Sequence, residues 1–372
     1  MSLQPFKLEE YFAKYEFTAP HLLCMSDTET FSIKEVLELA DTKCSQLWEK
    51  MRLGYTESKG LLLLREEIAL QYRHIDASGV LVTCGAQEAI YILMQSLLRK
   101  GDHVVVITPC YQSLEELPLH ITGAVTTISL NEQKGWELDP EKVRDAILPE
   151  TKMIVMNYPH NPTGTVLSRT SFDAVVTIAR AHGIFLLCDE VYRMMEIDEN
   201  ERLSPVADAY ERGISINVLT KAYGLGGLRI GWIASQDKGV ISAAAAYKNY
   251  TSICNAGPSE VLALIALRAS DALLSRNRKI ILENLKLLDG FFIRNSHYFS
   301  WCRPKAGPIG FVHYRDDVEV LTRRVLSEAG ILLLPASVYG CHSHYFRVGF
   351  GRENFPEVLA LFESWLSRVS GR

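Results

Sequence analysis

The chain has 372 residues, of which 48% are hydrophobic and 22% charged, a balance that excludes disordered, collagen-like and fibrous classes. A formal net charge of −5 offers no basic face to a polyanion and argues against nucleic acid as a partner. The length suits one large domain and one smaller one, each with its own core.

The opening residues M-S-L-Q-P-F-K-L-E-E lack the apolar stretch of a secretory signal. Residues 1 to about 45 hold two helix-like pieces and no strand of the core type. From about residue 80, short apolar runs alternate with helical stretches. L-V-T-C ends at Gly85, and A-Q-E-A-I-Y-I-L-M-Q-S-L-L-R-K follows with apolar residues at helical spacing. H-V-V-V-I-T-P, A-V-T-T-I-S-L, K-M-I-V-M-N-Y, G-I-F-L-L-C-D and I-S-I-N-V-L-T read as strands. Runs that are apolar on both faces suit a sheet covered by helices on each side. S-F-D-A-V-V-T-I-A-R-A-H reads as a crossover helix that ends at Gly183. The expected fold class is therefore α/β with a mainly parallel sheet. After about residue 275 come the charged helix R-N-R-K-I-I-L-E-N-L-K-L-L-D, then G-P-I-G-F-V-H-Y, the helix T-R-R-V-L-S-E-A-G, Y-F-R-V-G-F and a last helix. The expected division is a large domain over 46–275 and a small α+β domain built from 1–45 and 276–372.

Eight scattered cysteines form no C-x-x-C pair, so no metal is expected. Free buried thiols are common in reducing compartments, and no apolar run is long enough to span a bilayer, so the expected location is the cytoplasm with no membrane partner.

Four features carry chemistry. Lys221 follows a strand and opens T-K-A-Y-G-L-G-G-L-R-I-G-W. A lysine becomes a Schiff-base nucleophile when burial or nearby cations lower its pKa, and Arg229 could supply a cation or bind a phosphate. A surface pair beside a loop is the plain alternative. Asp189 ends F-L-L-C-D, where a carboxylate either caps the next helix or meets a ligand at the sheet edge. Asn157 to Gly164, N-Y-P-H-N-P-T-G, forms a rigid loop in which Asn161 either serves a ligand or simply turns the chain. Gly85, Ala86 and Gln87 open a helix, where backbone N–H groups attract anions, although the Walker lysine is missing.

Taken in order, Gly85-Ala86-Gln87, Tyr111 in P-C-Y, N-P-T-G, Asp189 with Tyr192, and Lys221 with Arg229 resemble the fold-type I enzymes that use pyridoxal 5′-phosphate (PLP). The match is to the class I/II aminotransferases, the aspartate aminotransferase superfamily, from about Tyr55 to Arg347. The resemblance implies a seven-stranded sheet and an amino group moved between an amino acid and a 2-oxo acid. It implies that Lys221 holds PLP as a Schiff base and moves the proton between Cα and the cofactor. Asp189 would pair with the pyridine nitrogen, Tyr192 and Asn161 would bond the 3′-oxygen, and Tyr111 would stack on the ring. Gly85, Ala86, Gln87 and Arg229 would hold the phosphate. Tyr55 would reach the phosphate of a partner subunit, which implies a homodimer, and Arg347 would clamp the substrate carboxylate.

Two positions depart from that pattern. Val218 stands where relatives often carry a phosphate-binding serine, leaving Thr220 as a substitute. L-L-C-M-S-D-T-E replaces an L-x-x-G-x-P segment and resembles capreomycidine synthase-like members. The second reading is therefore PLP-dependent elimination, replacement or oxidation on an arginine-like amino acid, with Asp27 and Glu29 meeting its cation. A PLP-fold regulator without catalysis is opposed by the retained lysine, aspartate and arginine. A nicotinamide dehydrogenase is opposed by G-L-G-G-L-R, which lacks the G-x-G-x-x-G spacing.

Overall fold

The computed structural model describes residues 3–341 and 344–370. The apolar runs between residues 80 and 235 become the strands of one sheet: β1 Val80–Thr83, β2 His103–Thr108, β3 Val125–Ser129, β4 Thr151–Asn157, β5 Phe185–Asp189, β6 Gly213–Val218 and β7 Gly231–Ser235. Their spatial order is β1-β7-β6-β5-β4-β2-β3. Strands β3, β2, β4, β5 and β6 run parallel, and β7 is antiparallel to both its neighbours. The expected seven-stranded, mainly parallel sheet is present. Residues of β1, β5, β6 and β7 are all buried, because helices cover both faces.

Strand β7 has no counterpart in the sequence reading. Its G-W-I-A-S core follows a glycine-rich loop and is too short to show a period. Trp232 within it is fully buried, and its indole N–H donates to the Tyr72 hydroxyl at 3.0 Å, which satisfies a donor that burial would otherwise strand. The crossover helix Arg169–His182 has the expected ends. The Ser168 side chain accepts from the Ser171 N–H, and Gly183 closes the helix at φ +61°.

The C-terminal part holds a four-stranded antiparallel sheet of Leu334–Pro335, Tyr345–Gly349, Ile309–Tyr314 and Phe299–Trp301, in that order. The N-terminal segment differs from expectation. It carries three helices, Lys7–Tyr15, Ile33–Glu38 and Thr42–Glu49, and a two-residue strand His21–Leu22 paired with Ile331–Leu332. Short pairings of this kind leave no sequence period to read. The segment then runs against the end of Tyr345–Gly349, where the Gly349 N–H donates to the Leu23 carbonyl at 2.9 Å. A Cβ at Gly349 would sit 1.8 Å from the Met25 carbonyl oxygen, so only glycine admits this approach. That contact sets the path of residues 25–28 into the centre of the molecule. The expected boundary at 275 falls within one continuous helix, Ser270–Arg294. Among the described residues no helix is long and apolar enough to cross a membrane.

Candidate active site

Parallel strands deliver their carboxyl ends to one edge of a sheet, and ligands of open α/β folds bind there. Here that edge opens into a cavity of about 420 Å³. Asn157 from the end of β4, Asp189 from the end of β5, Val218 from the end of β6 and then Thr220 and Lys221 all line it. Ala86, Gln87, Tyr111, Asn161, Tyr192, Arg229 and Arg347 line it as well. The residues singled out in the sequence, Gly85, Tyr55 and Glu29 apart, thus face one space.

Lys221 lies where the effect of burial outweighs that of its acidic neighbours. Burial lowers its pKa, with Arg347 acting in the same direction, while Asp27 and Asp189 oppose them. Its Nζ donates to Ser26 Oγ at 2.8 Å. Asp189 is 5% exposed, and its side chain accepts from the Val191 N–H at 3.2 Å. Burial raises its pKa to about 6, against the lowering effects of that N–H and of Lys221. A carboxylate so placed favours a cation opposite it. Its carbonyl is fixed by Asn157 Nδ2 at 2.8 Å, which ties β5 to β4.

At the other side of the cavity, helix Gly85–Leu97 begins directly after β1. Arg229 adopts the left-handed region at φ +52°, a conformation that costs a side-chain-bearing residue roughly 1–3 kcal/mol. The guanidinium lies against Gly85, where a Cβ would come within 2.6 Å of Nη2. Gly85 is itself at φ +80°. Glycine thus lets an arginine and a helix N-terminus converge, an arrangement that attracts a phosphate.

Not every expected contact is made as drawn. The Tyr192 hydroxyl donates to the Ser26 carbonyl at 3.0 Å, so its single proton is directed there. The Tyr111 hydroxyl donates to Glu9 at 2.8 Å, and Gln87 Oε1 accepts from Ser113. Tyr55 is 94% exposed and lies outside this cavity. Glu29 also lies outside it, accepting from the Thr30 and Glu353 N–H groups and facing Arg352 at 3.5 Å. Arg347 is 1% exposed and held by the Cys24 carbonyl, Asn161 and Tyr339.

Several cavity residues were missed in the sequence. Ser26 and the helix Lys7–Tyr15 are the main ones: Leu8, Glu9 and Phe12, with Glu16 just past the helix end, form one face over the opening. The spacing 8, 9, 12, 16 is a helical face that mixes acids with apolar residues, which is a usable signal. Tyr339, which bonds Asn161 and Arg347 of the cavity lining, left no comparable trace.

These features meet a single chemical description. A buried carboxylate suits a protonated ring nitrogen, a lysine of lowered pKa suits an aldehyde, and an arginine at a helix start suits a phosphate. Sequence comparison agrees, with residues 22–359 matching the family model for aminotransferase class I and II. The chain belongs to this family. The aspartate/prephenate aminotransferase of Thermus thermophilus is 31% identical over 335 residues, covering 86% of this chain and 83% of that protein. A PLP-dependent aminotransferase from Streptococcus suis superposes with a TM-score of 0.92 at 31% identity, covering 99% of both chains. The PLP-dependent cyclase OrfR superposes at 0.89 with 27% identity, covering 99% of this chain and 98% of that one. The aminotransferase is a PLP-dependent transaminase of fold type I.

Proposed function

We propose that the aminotransferase takes its amino group from an amino acid with a cationic side chain. The observation that supports this is the acidic wall facing Lys221 and Arg347: Glu9, Glu16 and Asp27 all line the cavity. Asp27 Oδ2 meets Arg352 at 2.7 Å, while its Oδ1 is buried without a hydrogen-bond partner. Burial raises the pKa of Glu16, with Asp27 and Glu9 adding to the rise and Arg352 and Lys221 opposing it. Glu9, Glu16 and Asp27 gather in one part of the lining, and their mutual repulsion there would be relieved by a substrate ammonium or guanidinium.

The roles follow from position. Lys221 would hold the cofactor covalently and carry the proton taken from the substrate Cα. When bound, PLP supplies an electron sink that makes that Cα–H acidic. Asp189 would keep the ring nitrogen protonated, while Gly85, Ala86, Gln87, Thr220 and Arg229 would receive the phosphate. Asn161 and Tyr192 would face the ring oxygen, Tyr192 by exchanging its bond to Ser26, and Tyr111 would cover the ring face. Arg347 would take the α-carboxylate, and helix Lys7–Tyr15 would keep water out. The small unit would comprise 1–45 and 276–372, against a large unit over 46–275.

A homodimer fits the surface around Tyr55. Leu53, Tyr55, Tyr250 and Ile253 are 88%, 94%, 88% and 52% exposed. Their loops are joined by Thr56 Oγ1 donating to the Asn255 carbonyl at 2.7 Å, so they form one patch. The cysteines are free thiols, which suits the cytoplasm.

Kinetics with L-arginine and L-alanine as donors test the substrate class. Glu16→Gln should lower kcat/KM for arginine roughly 10- to 100-fold and change alanine little, since a bond to a charged group contributes about 1.5–3 kcal/mol. The sign of the pH effect follows from the raised pKa. Glu16 is neutral to a higher pH than an ordinary glutamate, so KM for arginine should fall as pH rises through that value and Glu16→Gln should flatten the profile. Equal losses with both donors would reject the cationic pocket. The elimination, replacement or oxidation reading shares this pocket and draws on the likeness to a cyclase.

A further inference from the structure

Arg347 carries five N–H groups, and the protein already occupies most of them. Its Nε and Nη2 donate to the Cys24 carbonyl at 3.2 and 2.8 Å. Its Nη1 donates to Asn161 Oδ1 at 3.2 Å and to the Tyr339 hydroxyl at 2.5 Å. The Tyr339 hydroxyl in turn donates to Asn161 Oδ1 at 3.0 Å. The three side chains therefore close a triangle, and all three are buried.

We propose that Tyr339 is a positioning residue, whose phenol orients both the Arg347 guanidinium and the Asn161 amide toward the substrate. A phenol can accept from the arginine and donate to the amide oxygen at once, and no aliphatic or phenylalanine side chain can do either. Two donors on Asn161 Oδ1 fix which way the amide faces and leave its Nδ2 to serve the cavity, which Asn161 lines. Four bonds from Arg347 to the protein leave one Nη2 hydrogen. A carboxylate seeking two donors then finds that hydrogen and the Asn161 amide, both held in place by the same hydroxyl. Tyr339 is itself immobilised. It ends the short turn Ala336–Tyr339, which Gly340 closes at φ +73°, and its ring packs edge-on to Phe311 at 6.1 Å.

The inference rests on Arg347 receiving the substrate carboxylate, and the test separates the two. Hexanoate, a carboxylate without an amino or oxo group, is titrated by calorimetry into the PLP-loaded wild type, Tyr339→Phe, Tyr339→Leu and Arg347→Ala. Tyr339→Phe should weaken hexanoate binding about 10-fold and raise KM about 10-fold for both the amino acid and the 2-oxo acid, with kcat changed far less. Its thermal midpoint should fall less than that of Tyr339→Leu, because the ring still fills its space and only the bonds of the hydroxyl are lost. Tyr339→Leu should show the same binding loss together with a lower midpoint. Wild-type hexanoate affinity in Tyr339→Phe would overturn the proposal and leave the tyrosine a packing residue. Unchanged affinity in Arg347→Ala would instead overturn the carboxylate site on which it rests.

Discussion

Lys221→Ala should be colourless after reconstitution with PLP and dialysis, and its transaminase rate should fall by roughly 10⁴-fold or more. Both losses have one cause. In the proposed roles the amine would hold the cofactor and also move the Cα proton, so its removal would take away attachment and acid–base work together. The site is built to keep that amine reactive: burial lowers its pKa, and Ser26 Oγ fixes its position at 2.8 Å. The measurement is the visible absorbance of the dialysed protein alongside the initial rate. A variant that retained a stable visible band would show that another residue carries the cofactor.

Arg347→Ala should lower kcat/KM for every donor and acceptor by roughly 100- to 4000-fold, because removing one member of a buried charged pair costs about 3–5 kcal/mol. The effect should not depend on the side chain of the substrate, since the α-carboxylate is common to all. The substitution also leaves the Cys24 carbonyl, Asn161 and Tyr339 without their shared partner. The comparison therefore includes the thermal midpoint and Arg347→Lys, which keeps the charge and loses the fork. Equal kcat/KM values in Arg347→Ala and wild type at matched folded fractions would remove the assignment.

What the sequence made legible is what is local. Lys221 and Arg229 lie eight residues apart in one glycine-rich run, Asn161 lies in a proline-bounded loop, and Asp189 ends a uniformly apolar strand. Each motif is short enough that its own spacing carries the geometry. The parallel strands were legible for the same reason, as buried runs with turn residues between them. The residues that escaped notice reach the site across the chain. Ser26 meets Lys221 over 195 positions, and Tyr339 meets Asn161 over 178. No period or motif links such pairs, because the fold alone brings them together. Glu16 belongs to the same class, placed over the cavity by a helix, whereas Asp27 was legible in its S-D-T-E run and is carried there by a segment threaded past Gly349. Tyr192 shows the converse case. Its position was legible, but its proton goes to the Ser26 carbonyl, a partner set by the N-terminal segment.

The most direct measurement is a single turnover of the PLP-loaded protein with L-arginine and no added 2-oxo acid. Transamination predicts loss of the visible band with one equivalent of 2-oxo acid formed per subunit, and recovery of the band when pyruvate is added. Release of ammonia or uptake of oxygen, with the band unchanged at the end, would contradict it.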